Sequence, residues 1–174
     1  MSHELPETGH RRLNLAFVVD PLPGLKAYKD SSIAMMRAAA IRGHTVFAID
    51  CATLAWRRPE SNEPGGVFGV AVQLHMQPDN HDWFHEIGRD RIPLTDFDAV
   101  IMRRDPPFDN EYLTATWLLE RAEAAGVRVF NRPRALRDHS EKVAIAEFPQ
   151  FAPETLISRD VEQLQQFIDE HDDV

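Results

Sequence analysis

Leu13-Asn14-Leu15-Ala16-Phe17-Val18-Val19, then Ser31 to Arg42, then Thr45-Val46-Phe47-Ala48-Ile49: these three stretches decide the fold. The first is a short apolar run ended by Asp20-Pro21-Leu22-Pro23-Gly24, and it reads as a buried strand. The second carries Ala, Met and Arg at helical spacing, with Asp30 or Ser31 as N-cap and Gly43 as the stop. The third is again strand-like. Strand, helix, strand in this order is a crossover unit, which implies a parallel sheet with right-handed connections.

Outward from this unit, Asp98 to Met102 is a further buried strand. Asp109 or Asn110 caps a helix through Ala125, stopped by Gly126, and Val127 to Phe130 is a fourth central strand. Between the two halves, Pro64-Gly65-Gly66 separates Ala52 to Arg58 from the alternating run Val67 to Met76. That is the pattern of an antiparallel hairpin or a long edge excursion, read here as a surface addition. The expected fold class is therefore α/β: three layers, Rossmann-like, with a mostly parallel sheet and helices on both faces. Residues 1–12 are expected to form a flexible polar tail and residues 13–133 the main domain. Beyond it, Arg134 to Phe148 reads as one or two short helices, Thr155 to Ser158 as a strand and Val161 to Glu170 as a helix. Residues 134–174 thus look like the start of a second domain.

Composition narrows the function. The chain has 174 residues, 43% of them hydrophobic and 27% charged, which is the profile of an ordinary globular protein. Its net charge of -9 repels phosphate backbones and anionic lipid, so neither nucleic acid nor a membrane surface is the expected partner. The single cysteine, Cys51, excludes an intrachain disulfide and suits a reducing cytoplasm; a small buried apolar role explains it. No apolar run is long enough to cross a bilayer, and the start of the chain lacks the hydrophobic centre of a signal peptide.

Ligands of open α/β sheets sit beyond the carboxyl ends of the strands, and several polar motifs fall there. Met102-Arg103-Arg104-Asp105-Pro106-Pro107-Phe108-Asp109 places two guanidinium groups directly after a central strand, where arginine forks bind carboxylates. The competing reading leaves both arginines solvated or paired with Asp105 and Asp109. Tyr28-Lys29-Asp30-Ser31-Ser32 opens the first helix, where free amides and the helix dipole favour an anion; a plain N-cap uses the same residues. Asn131 reaches the same edge after the fourth strand. Lys142 has no role that spacing reveals. His81 and His85 would share a helix face with His75 or Glu86 near enough to hold zinc, but His-Asp-Trp-Phe-His lacks the glutamate of a metalloprotease helix, so no metal site is expected. Dinucleotide, P-loop and nucleophile-elbow glycine motifs are all absent from the sequence.

The segments Lys29-Asp30-Ser31-Ser32, Met102 to Asp109, Asn131-Arg132-Pro133, Leu136-Arg137-Asp138 with Glu141-Lys142, and Pro153 to Asp160 occur in an order and spacing that resembles bacterial glutathione synthetases of the ATP-grasp superfamily. The resemblance covers about Leu13 to Val174. It implies that residues 13–133 are the pre-ATP-grasp domain and residues 134–174 the truncated start of an ATP-grasp domain. It also implies ligation of γ-glutamylcysteine to glycine with ATP and Mg2+ through an acyl phosphate. On this resemblance Lys29, Asp30, Ser31, Ser32, Arg103, Arg104, Asp105 and Asn131 face the peptide substrate and Lys142 touches ATP phosphates. Arg104 stands where the family often has lysine, and Ser140 where it often has asparagine. The glycine-rich phosphate loop and the magnesium ligands of the carboxyl-terminal lobe do not occur in this sequence, so the chain alone is expected to be inactive. A cytoplasmic homo-oligomer is the implied assembly. Two rival readings remain: a stand-alone module that binds an acidic peptide or mediates assembly, and a piece of another ATP-grasp amino-acid ligase. Among the cations, Arg103→Ala is expected to weaken γ-glutamylcysteine binding far more than Lys26→Ala.

Overall fold

The computed structural model describes residues 11–58, 65–140 and 142–171. Of the readings above, the first ten residues of the expected tail, Pro64, Glu141 and residues 172–174 lie outside them. In chain order the elements are β1 (Asn14–Val19), α1 (Ser31–Ile41), β2 (Thr45–Asp50), β3 (Ala55–Arg57), β4 (Gly66–Met76), β5 (Phe84–Pro93), β6 (Ala99–Met102), α2 (Asn110–Ala124), β7 (Val129–Phe130), α3 (Pro133–Asp138) and α4 (Val161–Glu170).

The crossover unit forms as its sequence requires. Asp30 is the N-cap of α1, its Oδ1 accepting from the amides of Ser32 at 2.7 Å and Ile33 at 3.1 Å. Gly43, at φ +80°, turns the chain out of the helix in the left-handed conformation that a side chain would oppose. Asp109 caps α2 in the same way through the Tyr112 amide, and Gly126, at φ +96°, ends it.

One seven-stranded sheet results, with β2, β1, β6 and β7 adjacent and parallel in that order. The pleat sends alternate residues of β1 to opposite faces. Ala16 and Val18 join Val100, Met102, Tyr112 and Leu119 in a core under α2, while Phe17 and Val19 join Ile33, Met36, Val46 and Leu74 under α1. Three layers are thus present.

The sheet is mixed and not mostly parallel. β4 runs antiparallel to β2, with Ala71–Leu74 beside Val46–Ile49, and antiparallel to β3 and β5. Nor is β4 a surface addition: Val67, Ala71, Val72 and Leu74 are buried in the two cores. Its alternating pattern announces a strand but not the neighbour that covers it. β5 escapes the sequence reading because most of its residues are exposed, which leaves no apolar period to find.

The chain divides into two compact units, Met1–Leu136 and Arg137–Val174. Within the second, Val143–Glu147 and Pro149–Phe151 are short 3-10 turns, and α4 is capped by Asp160 through the amides of Glu162 and Gln163. The strand expected at Thr155 to Ser158 does not form. No described strand lies beside it, and an isolated strand has no partner for its backbone groups. No helix among the described residues is long and apolar enough to cross a membrane.

Candidate functional site

The order β2-β1-β6-β7 sends the two crossovers outward in opposite directions from β1 and β6, so right-handed connections cover opposite faces. Between the carboxyl ends of β1 and β6 the covering loops diverge and leave a crevice. Two of the polar motifs, Lys29 to Ser32 and Arg103 with Asp105, meet at this switch point.

Met102 packs under α2, so the next residue turns to the α1 face. Arg103 accordingly reaches the start of α1, where its Nε donates to Ser32 Oγ at 3.0 Å and its NH2 to Ser31 Oγ at 2.6 Å. The Arg103 amide itself closes the β1–β6 ladder by donating to the Val18 carbonyl at 2.7 Å. Gly24, Leu25, Lys26, Lys29, Asp105 and the α1 start join Arg103 around a cleft of about 340 Å3. That volume falls at the small end of the roughly 300–1,000 Å3 typical of small-molecule sites.

Its electrostatics are those of an anion site. Lys26, Lys29 and Arg103 oppose Asp30 and Asp105, leaving one net positive charge in the lining. Both serine hydroxyls accept from Arg103 and retain a proton to donate, and the guanidinium keeps unused N–H groups for a carboxylate. The helix-start amides contribute less than the sequence suggests, since the Asp30 carboxylate already occupies those of Ser32 and Ile33. Asp30 is here a cap as well as a wall of the cleft.

Arg104 faces the other way. On the α2 side its NH2 lies 3.2 Å from Glu111 Oε2 and 3.8 Å from Asp109 Oδ2, its Nε 3.7 Å from Asp20 Oδ1, and its NH1 3.8 Å from Cys51 Sγ. Burial works against its charge, but the Cys51 contact and the Glu111 and Asp109 carboxylates hold its pKa above the ordinary arginine value. Cys51 is buried, and that burial pushes its thiol pKa up despite the nearby Arg104.

The structure therefore brings together Lys29, Asp30, Ser31, Ser32, Arg103 and Asp105 and separates Arg104 from them. Lys26, expected from the sequence to matter far less than Arg103, lines the same cleft. Asn131 sits directly after β7 on the same carboxyl edge, one strand beyond Arg103, and does not line the cleft. Lys142 belongs to the second unit, exposed at the start of a 3-10 turn. Asp20, which the sequence reading passed over, is the first residue past β1, a position the carboxyl-edge rule alone singles out. His81 lies in a turn and His85 on β5, so they do not share a helix face. Among the described residues no group of three or more His, Cys, Asp or Glu is placed to hold a metal ion.

Residues 13–137 match the family described as the N-terminal domain of prokaryotic glutathione synthetase. The chain belongs to this family. Among its relatives, a glutathione synthetase of Ralstonia nicotianae is 48% identical over 162 residues, covering 93% of this chain and 48% of that protein. That of Nitrosomonas europaea is 45% identical over 165 residues, covering 93% and 50%. That of Escherichia coli K12 is 36% identical over 162 residues, covering 93% and 49%. The chain thus spans about half the length of the glutathione synthetases it matches. The family match encloses every element that lines the cleft, from β1 through β6.

Proposed function

We propose that this chain is the peptide-binding part of a glutathione synthetase and that the cleft between β1 and β6 seats γ-glutamylcysteine. The observation that supports this is the Arg103 clamp on Ser31 and Ser32 beside Lys26 and Lys29. γ-Glutamylcysteine carries two carboxylates and one ammonium near neutral pH. Arg103 and the lysines suit the carboxylates, Asp105 suits the ammonium, and the lining's net positive charge balances the ligand's net negative one.

In this reading residues 13–133 are the pre-ATP-grasp domain and residues 134–174 open the ATP-grasp region, with Lys142 toward the nucleotide phosphates. The larger cytoplasmic, homo-oligomeric protein joins γ-glutamylcysteine to glycine and converts ATP to ADP, with Mg2+, through an acyl phosphate. Activation is required because a carboxylate is a poor electrophile. On this reading the chain by itself forms no ADP.

Calorimetry on the chain, with γ-glutamylcysteine as titrant, tests the site. Binding should occur without nucleotide and weaken at least about ten-fold in Arg103→Ala, a loss of the size expected when charge-assisted hydrogen bonds are removed. Equal affinity of Arg103→Ala and wild type would sink the reading. ADP formation by the chain, supplied with ATP, γ-glutamylcysteine and glycine, would refute the claim that it is inactive alone.

A further inference from the structure

Arg103 and Arg104 are adjacent in sequence but serve different faces of the sheet. Arg104 is only 13% exposed and stands among Asp20, Asp109, Glu111 and Cys51, where the ends of β1, β2 and β6 meet the start of α2. The β1–β6 ladder ends with the Arg103 amide. Past that point the backbone is held differently: the Asp105 amide donates to Asp20 Oδ2 at 3.0 Å, while Asp20 Oδ1 faces the Arg104 Nε at 3.7 Å. One carboxylate at the end of β1 therefore holds both the Asp105 amide and the Arg104 side chain, next to Arg103. The far end of that segment is tied by Asp109, whose carboxylate caps α2 and also faces Arg104.

We infer that Arg104 is a positioning residue: without touching the ligand, it neutralises Asp20 and Asp109 so that Asp20 can hold the Asp105 amide and keep Arg103 aimed into the cleft. This rests on the reading of that cleft as the γ-glutamylcysteine site. Without the guanidinium, the Asp20, Asp109 and Glu111 carboxylates would face one another with no cation between them, and mutual repulsion would move the segment. A lysine would restore the charge but not the planar fork that reaches several partners at once.

The test uses the full chain with Arg104→Gln, Arg104→Lys, Asp20→Asn and the Arg104→Gln/Asp20→Asn pair. Calorimetry should show γ-glutamylcysteine binding about ten-fold weaker in Arg104→Gln and in Asp20→Asn, with the double variant no weaker than either, as expected for two residues acting through one link. Arg104→Lys should recover part of the loss. Additive losses would mean that Arg104 meets the ligand directly and would overturn the inference. A second readout needs no ligand. Amide exchange at Asp105 should quicken about ten-fold in Arg104→Gln and Asp20→Asn, while Met36 in α1 exchanges as in the wild type. Unchanged Asp105 exchange would equally overturn it. If the wild type binds no γ-glutamylcysteine, the functional reading fails and the Asp105 amide still decides the role of Arg104. Should Arg104→Gln fail to fold, Arg104→Lys and Asp20→Asn carry both readouts.

Discussion

Replacing Gly69 by alanine tests whether β4 belongs to the body of the sheet. A Cβ at Gly69 would stand 2.6 Å from Ile49 Cγ2 and 3.4 Å from Leu54 Cδ2. Relaxed carbon contacts lie at about 3.5–4.0 Å, so the isoleucine must yield by roughly 1 Å. Ile49 is fully buried in the α2-side core, so it can yield only by displacing other core side chains or rotating within the core. Overpacking of this kind costs about 1–3 kcal/mol, offset by about 0.5–1 kcal/mol because alanine restricts the unfolded chain more than glycine does. The net is a loss of up to about 2.5 kcal/mol, centred on about 1.3 kcal/mol. Gly88 on β5 is the control: nothing lies within 4 Å of its Cβ position, so Gly88→Ala should be neutral or stabilise by up to about 0.5–1 kcal/mol. Urea unfolding followed by tryptophan fluorescence, with Trp83 buried as a reporter, should separate the two midpoints by about 1 M if m is about 2 kcal/mol/M. Coincident midpoints would refute the placement of β4 against β2.

Asp30→Ala should cost about 1–2 kcal/mol in a thermal melt, because its carboxylate satisfies two α1 amides, and Asp30→Asn should cost much less. Cys51 should react with a thiol reagent only after denaturation, since it is 6% exposed in the fold. Its pH dependence has a definite sign. Burial raises the thiol pKa above the ordinary 9.0, so the stability this carries is complete below 9.0 and is lost as pH rises through the folded value. Melting temperatures of the wild type should therefore fall more steeply above pH 9 than those of Cys51→Ala.

The central crossover was legible because every local signal agreed. The β1 run is apolar at each core position, α1 has both its cap and its glycine stop, and β2 repeats the apolar run. Local pattern could not say which strand lies beside which. Val67 to Met76 alternates as any half-buried strand does, and only the folded chain shows Ala71–Leu74 set against β2. β5 had no pattern to find, since its exposed Glu86, Arg89, Asp90 and Arg91 are the charges that keep an edge strand from pairing with other chains. Thr155 to Ser158 has strand-forming residues without a described neighbour, and propensity alone makes no ladder.

The site shows a finer limit. Two consecutive arginines after a strand look equivalent as letters, and the resemblance assigned both to the substrate. The pleat distinguishes them: Met102 belongs to the core under α2, so Arg103 must face α1 and Arg104 must return to the α2 side. Which of those sides offers a crevice follows from the direction of the crossovers. The loop after β1 leads to α1, whose start is lined by serines and lysines, whereas the start of α2 is lined by Asp109 and Glu111. On the proposed reading an anion would be drawn to the first and repelled by the second, so Arg103 would be left for the ligand while Arg104 balances carboxylates. Register within β6, more than the presence of paired arginines, therefore determines which cation a bound dipeptide would meet.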